Sequence, residues 1–143
     1  MAGILFSILA GAAMSFQGVI NTRLGEKIGL YESNAYVQGT AFLLSLLVMW
    51  FFGKGQLAGL LKMPWYYWMG GVLGLAITLT VMLGIQHLTP TIAISTILIA
   101  QLLAAALIDA LGILGTEKVP FTWNKYVGMA LLIGGVLLFK WRN

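Results

Sequence analysis

The sequence predicts an all-α integral membrane protein, and three observations support this fold class. Hydrophobic residues make up 60% of the 143 residues and charged residues only 8%, against roughly a quarter charged in an ordinary globular domain. The apolar residues form five long stretches, each able to cross a hydrocarbon core about 30 Å thick as a helix. The alternating pattern of outer-membrane β-strands is not found. We therefore expect one transmembrane domain covering residues 1–143.

Five transmembrane helices per chain are expected, joined by short connections that leave no room for an extramembrane domain. The first stretch has small residues at positions 10–12, as a cleavable signal does, but no Lys or Arg precedes it, so we expect it to be retained. The boundary at Thr89 and Pro90 fits either a tight hairpin or one long broken helix; the polar residues around it favour two spans. The predicted spans are residues 2–20, 33–52, 65–88, 91–114 and 123–139, with joints at 21–32, 53–64, 89–90 and 115–122.

Lys and Arg are divided equally between the two sides of the membrane if all five spans cross. One side holds Arg23, Lys27, Lys140 and Arg142, and the other holds Lys54, Lys62, Lys118 and Lys125. Because an excess of Lys and Arg in short loops sets orientation, this equality predicts dual topology. Two inverted copies would then pair as an antiparallel homodimer of ten helices. The alternative is one orientation, decided by the N-terminal amine or by the distance of the charges from helix ends.

Polar side chains inside the predicted spans are the candidates for a binding site, because an unpaired polar group costs several kcal/mol in hydrocarbon. Gln17 and Asn21 are one turn apart on the first helix. Hydrogen bonds between helices would account for such residues, and a shared cavity for a polar substrate is the functional alternative. The predicted substrate-binding residues are Ser15, Gln17, Asn21, Gln38, Ser95 and Gln101.

The titratable residues are too few for enzymatic chemistry. The chain has one histidine, four acidic residues and no cysteine, so neither a Ser/His/Asp set nor a cluster of metal ligands can be assembled. Asp109 is the only carboxylate within a predicted span. We therefore expect no catalytic residues, no metal and no cofactor. The net charge of +4 is spread beside apolar segments, which indicates membrane anchoring and not nucleic-acid binding.

Three segments resemble known transporters. The segment LTPTIAIS, residues 88–95, resembles the proline-led start of a substrate-facing helix in the small multidrug resistance proteins, and GMALLIGGVL, residues 128–137, resembles their last helix. That helix forms their dimer contact through a glycine-spaced face, so Gly128, Gly134 and Gly135 are the expected dimer interface. The segment GAAMSFQGVINTRLG, residues 11–25, resembles the opening of the bacterial YdcZ family, a five-helix branch of the drug/metabolite transporter superfamily.

The resemblance implies a small-molecule transporter of the bacterial inner membrane that works by alternating access. Small multidrug resistance proteins carry a glutamate in their first helix, where this chain has Ala13, Met14, Ser15 and Gln17. Proton-coupled export of cations is therefore not expected, and a neutral or zwitterionic substrate fits better. The alternative is a non-transporting membrane subunit or one half of a heteromeric transporter. The expected partners are the lipid bilayer, an inverted second copy and the small substrate.

Overall fold

The computed structural model describes residues 1–120 and 122–141, and every regular element within them is a helix. Phe121, Arg142 and Asn143 lie outside the described residues; Arg142 was counted in the charge balance above. The α-helices are α1 (Ala2–Ile28), α2 (Leu30–Phe52), α3 (Gly70–His87), α4 (Pro90–Leu111) and α5 (Trp123–Lys140), with 3-10 helices at Leu57–Lys62 and Trp65–Met69. The all-α fold class is confirmed.

The first joint is much shorter than the sequence suggested. Residues 21–28 were predicted as part of a connection, but they continue α1, and Gly29 alone separates α1 from α2. The prediction was wrong because polarity was taken for a helix break. Residues 22–28 include good helix formers, and Arg23 and Glu26 form an ion pair of 2.9 Å along the helix surface.

Gly29 makes this one-residue joint possible. Its φ of +106° and ψ of 146° lie in a region that only glycine adopts readily. The Gly29 amide still bonds the Gly25 carbonyl, and the Gly29 carbonyl already accepts the amide of Ser33, both at 3.0 Å. Gly29 therefore closes α1 with its amide and opens α2 with its carbonyl. The 27 residues of α1 extend about 40 Å, beyond a hydrocarbon core of about 30 Å.

The remaining helix ends follow recognisable signals. The region before α3 begins as a 3-10 helix after Pro64, and α4 begins with Pro90 in its first turn, where a missing amide hydrogen is harmless. α4 ends at Leu111, three residues before the predicted limit. Gly112 closes it in the left-handed conformation, with a φ of +63° and its amide bonded to the Ile108 carbonyl, as helix-ending glycines commonly do.

Four helical segments among the described residues are long and apolar enough to cross a membrane. They are Ala2–Ile28, Leu30–Phe52, Trp65–His87 and Pro90–Leu111. α5 has 18 residues and includes Asn124, Lys125 and Lys140, and it is not among the four. Its apolar part, residues 127–139, is about 20 Å long, so a fifth crossing remains a prediction.

The chain divides into two compact units, Met1–Gln86 and His87–Asn143. In the first, α1 packs against α2, and in the second α4 packs against α5. At most 11% of any spanning window is buried within the chain, and large side chains such as Phe6, Phe42 and Leu107 are mostly exposed. An apolar surface of this extent needs lipid or further protein to cover it.

We expect Gly29→Ala to lower the free energy of unfolding by about 1–3 kcal/mol, the cost of holding a side chain in this backbone region. Gly39→Ala is the matched control. Gly39 lies within α2, and an added Cβ there meets nothing within 4 Å, so alanine should be neutral or stabilising by about 0.5–1 kcal/mol. Unfolding in detergent followed by circular dichroism would measure both. Equal effects would contradict the role given to Gly29.

Candidate functional site

The interior of the first unit is unusually polar. Among the described residues, the buried polar side chains are those of Asn21, Thr22, Ser33 and Asn34, each at most 5% exposed. They lie near the α1–α2 turn, two on each helix, and we call them the hairpin cluster. Their apolar neighbours Met82 and Ile85 of α3 are also buried. A polar interior between apolar outer surfaces is the reverse of a soluble domain.

Hydrogen bonds within the hairpin cluster tie the helices together. The Ser33 hydroxyl donates to the Asn21 carbonyl at 3.2 Å, which links α2 to α1. The Thr22 hydroxyl donates to the Gly18 carbonyl at 2.7 Å and lies 3.5 Å from the carbonyl of Met82 in α3. Both hydroxyl hydrogens are directed at backbone carbonyls, so these side chains act here as donors between and along helices.

Asn34 has a buried side-chain oxygen that finds no hydrogen-bond partner among the described residues. The residue is 3% exposed, and its Oδ1 atom accepts no hydrogen bond from the described residues. A buried acceptor of this kind costs about 1–3 kcal/mol. Because such groups are few in native proteins, they often mark a functional position. Asn34 was not among the predicted site residues.

A small cleft continues from the hairpin cluster towards the middle of the first unit. It lies between α1 and α3, has a volume of 50 Å³, and its polar lining comes from Gln17, Asn21 and Thr78. We call it the inner cleft. Its volume is well below the several hundred Å³ of ordinary ligand sites and corresponds to one or two water molecules. One chain therefore supplies part of a wall, and not a closed site for a metabolite.

Gln38 connects α2 to this lining. Its Nε2 atom donates to the Thr78 hydroxyl at 3.2 Å, and that hydroxyl donates to the Gly74 carbonyl at 2.8 Å. A Cβ at Gly74 would lie 4.0 Å from Gln38 Nε2, which is an ordinary van der Waals distance. Three helices thus contribute amide or hydroxyl groups to one region of the first unit.

The structure brings together some of the predicted site residues. Gln17 and Asn21 share the inner cleft, and Gln38 bonds to its wall. Ser15 donates to the Gly11 carbonyl of its own helix at 3.0 Å. In the second unit, Ser95 donates to the Thr91 carbonyl at 2.6 Å, and the Gln101 side chain is exposed. Thr78 was missed as a lining residue; its only sequence signal was the Gly74-xxx-Thr78 spacing, which indicated helix packing.

The glycines predicted to form the dimer interface all lie on α5. A Cβ added to Gly128, Gly134 or Gly135 would meet nothing within 4 Å, so this part of the helix is open to close approach. Gly128 also lines a cleft between α4 and α5. Their role in a dimer stays a prediction.

Long apolar helices with an internal lining of amides and hydroxyls define a polytopic membrane protein of the transporter type. Residues 2–138 match the family model described as "Putative inner membrane exporter, YdcZ". The chain belongs to this family and is a protein of the inner membrane, which confirms the resemblance and the location predicted from the sequence. No curated protein and no solved structure matches it significantly.

We expect Asn34→Leu to raise the stability of the purified protein by about 1 kcal/mol, because it replaces an unpartnered buried amide by an apolar side chain of similar size. Ser33→Ala is the matched control. It removes a buried hydroxyl that is bonded to Asn21 and should lower stability by a similar amount. Thermal unfolding in detergent would compare the two. Destabilisation by both variants would show that Asn34 has a partner in the assembled protein.

Proposed function

We propose that this protein exports a small uncharged or zwitterionic polar molecule by alternating access, as an antiparallel homodimer. The observation that carries the proposal is the inner cleft, where amides and a hydroxyl from three otherwise apolar helices meet. Interhelical hydrogen bonds alone would not need an unpartnered acceptor at Asn34. The family description, an inner membrane exporter, supports the direction of transport.

The chemistry of the lining suits a substrate that must bind and then leave. Gln17, Asn21 and Gln38 offer donors and acceptors without fixed charge, so binding strength comes from a few hydrogen bonds of moderate value. Further lining is assigned to Ser15, Ser95 and Gln101.

Two copies are proposed because one chain supplies too little of a site. The inner cleft of 50 Å³ is smaller than a metabolite, and an inverted second copy would present each polar residue twice around one cavity. Transporters commonly place their sites between inverted repeats. The open glycine face of α5, at Gly128, Gly134 and Gly135, is the proposed contact between the copies.

The proposed transport role predicts that export depends on Thr78 of α3 and not on Thr80 of the same helix. Both hydroxyls bond within their own helix, but only Thr78 lines the inner cleft and accepts from Gln38. Untargeted mass spectrometry of culture medium should find a polar metabolite enriched by overexpression of the wild-type chain. Gln17→Leu and Thr78→Val should reduce that enrichment at least about tenfold, since each removes hydrogen bonds that a desolvated substrate needs.

Thr80→Val is the control for this experiment and should export like the wild type. Immunoblots of membrane fractions must show equal amounts of all four proteins. Full activity of Gln17→Leu would remove α1 from the site. Enrichment that requires co-expression of a second related chain would favour the heteromeric alternative.

The antiparallel arrangement depends on whether α5 crosses. With five crossings, Lys and Arg are balanced at four against four; if α5 stays on one surface, Lys140 and Arg142 move to the other side and the balance becomes six against two. The latter excess would fix one orientation. Crossing requires α5, with an apolar part of about 20 Å, to thin the bilayer or to extend Lys125 and Lys140 towards the headgroups.

Labelling of introduced cysteines separates these cases, because the chain has no cysteine of its own. We expect Val119→Cys and Trp141→Cys, which leave every Lys and Arg in place, each to react to about half with an impermeant maleimide on intact spheroplasts, and fully after lysis. Identical one-sided results at the two positions would place α5 on one surface. Opposite one-sided results would show five crossings in a single orientation, which excludes the antiparallel homodimer.

A further inference from the structure

The second unit contains a charged pair where two helices meet. Asp109 lies two residues before the end of α4, and Lys125 lies two residues after the start of α5. Their Oδ2 and Nζ atoms are 4.0 Å apart, and the side chains are 47% and 35% exposed. The chain after α4 turns back so that the Val119 amide bonds the Asp109 carbonyl at 2.8 Å. The pair is thus held at a helix end and remains accessible.

An apolar slot extends from this pair along both helices. On α4 it is lined by Leu102, Ala105 and Asp109, and on α5 by Lys125, Gly128 and Leu132. These positions repeat at three to four residues, so each set occupies one helix face. Seven residues of helix correspond to about 10 Å. The slot therefore runs about 10 Å from a charged end into the apolar part of the helix pair.

The volume and composition of the slot limit its occupant. It measures 250 Å³, below the usual range for a whole drug-sized ligand, and its walls apart from the charged pair are apolar. Gly128 leaves room, because a Cβ at that position would meet nothing within 4 Å. A segment of one acyl chain fits such a slot, with its headgroup outside at the level of Asp109 and Lys125.

The opposite charges of Asp109 and Lys125 complement those of a zwitterionic lipid headgroup. Lys125 can donate to a phosphate, and Asp109 can accept from a primary ammonium, both as charge-assisted hydrogen bonds. A zwitterionic headgroup can interact with both residues and adds no net charge, whereas an anionic headgroup leaves Asp109 facing a like charge. We propose that this slot binds a phospholipid whose headgroup carries a phosphate and a primary ammonium, with one acyl chain between α4 and α5.

A second groove of the same helix pair provides a control. It has a volume of 310 Å³ and shares Met129 and Ala106 with the slot, but its end is formed by Ala110 and Tyr126. The side chains that line it carry no charged group among the described residues. It should accept acyl chains without selecting a headgroup.

Native mass spectrometry of the purified full-length protein, with one lipid added at a time, would test the proposal. The probes are phosphatidylethanolamine, phosphatidylcholine, which has no ammonium hydrogen, and phosphatidylglycerol, which has no ammonium. We expect the first to bind about tenfold more tightly than the others, the value of about one charge-assisted hydrogen bond. Asp109→Asn should abolish this preference, and Lys125→Gln should weaken binding of all three lipids several-fold.

Two substitutions that enlarge a side chain distinguish lipid bound in the slot from the lipid that surrounds any membrane protein. Ala105 lines the slot but neither the second groove nor the proposed dimer contact. Ala105→Leu fills the slot and should remove the bound phosphatidylethanolamine, whereas Ala110→Leu narrows only the second groove and should leave it. Circular dichroism and gel filtration would verify that both variants are folded. Equal binding of the three lipids, equal effects of the two leucine variants, or unchanged phosphatidylethanolamine binding in Ala105→Leu would each overturn the proposal.

Discussion

The fold depends on one constraint: in hydrocarbon, each backbone amide and carbonyl must find its partner within the chain. The helices satisfy it internally along their lengths. At the turn between α1 and α2, the Gly29 amide still donates to the Gly25 carbonyl and the Gly29 carbonyl accepts from the Ser33 amide. Many hydroxyl side chains follow the same rule, because those of Ser7, Ser15 and Thr80 donate to carbonyls of their own helices. Polar side chains that do not donate to a carbonyl of their own helix are the exceptions to this rule.

Those exceptions are concentrated in the first unit, where they lie at different distances from the α1–α2 turn. Nearest the α1–α2 turn, the Ser33 hydroxyl donates to the Asn21 carbonyl of the other helix, while the Asn34 Oδ1 atom has no hydrogen-bond partner among the described residues. Deeper in the unit, Gln17 and Thr78 face a small cleft. The polar groups thus descend from a helix end towards the interior while the outer surface stays apolar. Under the proposed function, this is the order in which the substrate would exchange water for protein.

Much of the fold could be predicted because long apolar runs determine helices in a bilayer. Helix ends were harder: residues 21–28 are polar yet helical, and Gly112 ends α4 inside an apolar run. The spacing of Gln17 and Asn21 correctly placed them on one face. Sequence periodicity shows which residues share one face of a helix, but not which helix packs against that face. The contact between Gln38 and Thr78 could therefore not be predicted.

The one-residue joint at Gly29 has a consequence for orientation in the membrane. A helix of 27 residues is followed after one residue by another of 23, so the finished joint has no slack. Arg23 and Lys27 lie close to this joint, and the side of the membrane that holds these two cations therefore sets the orientation of both helices together.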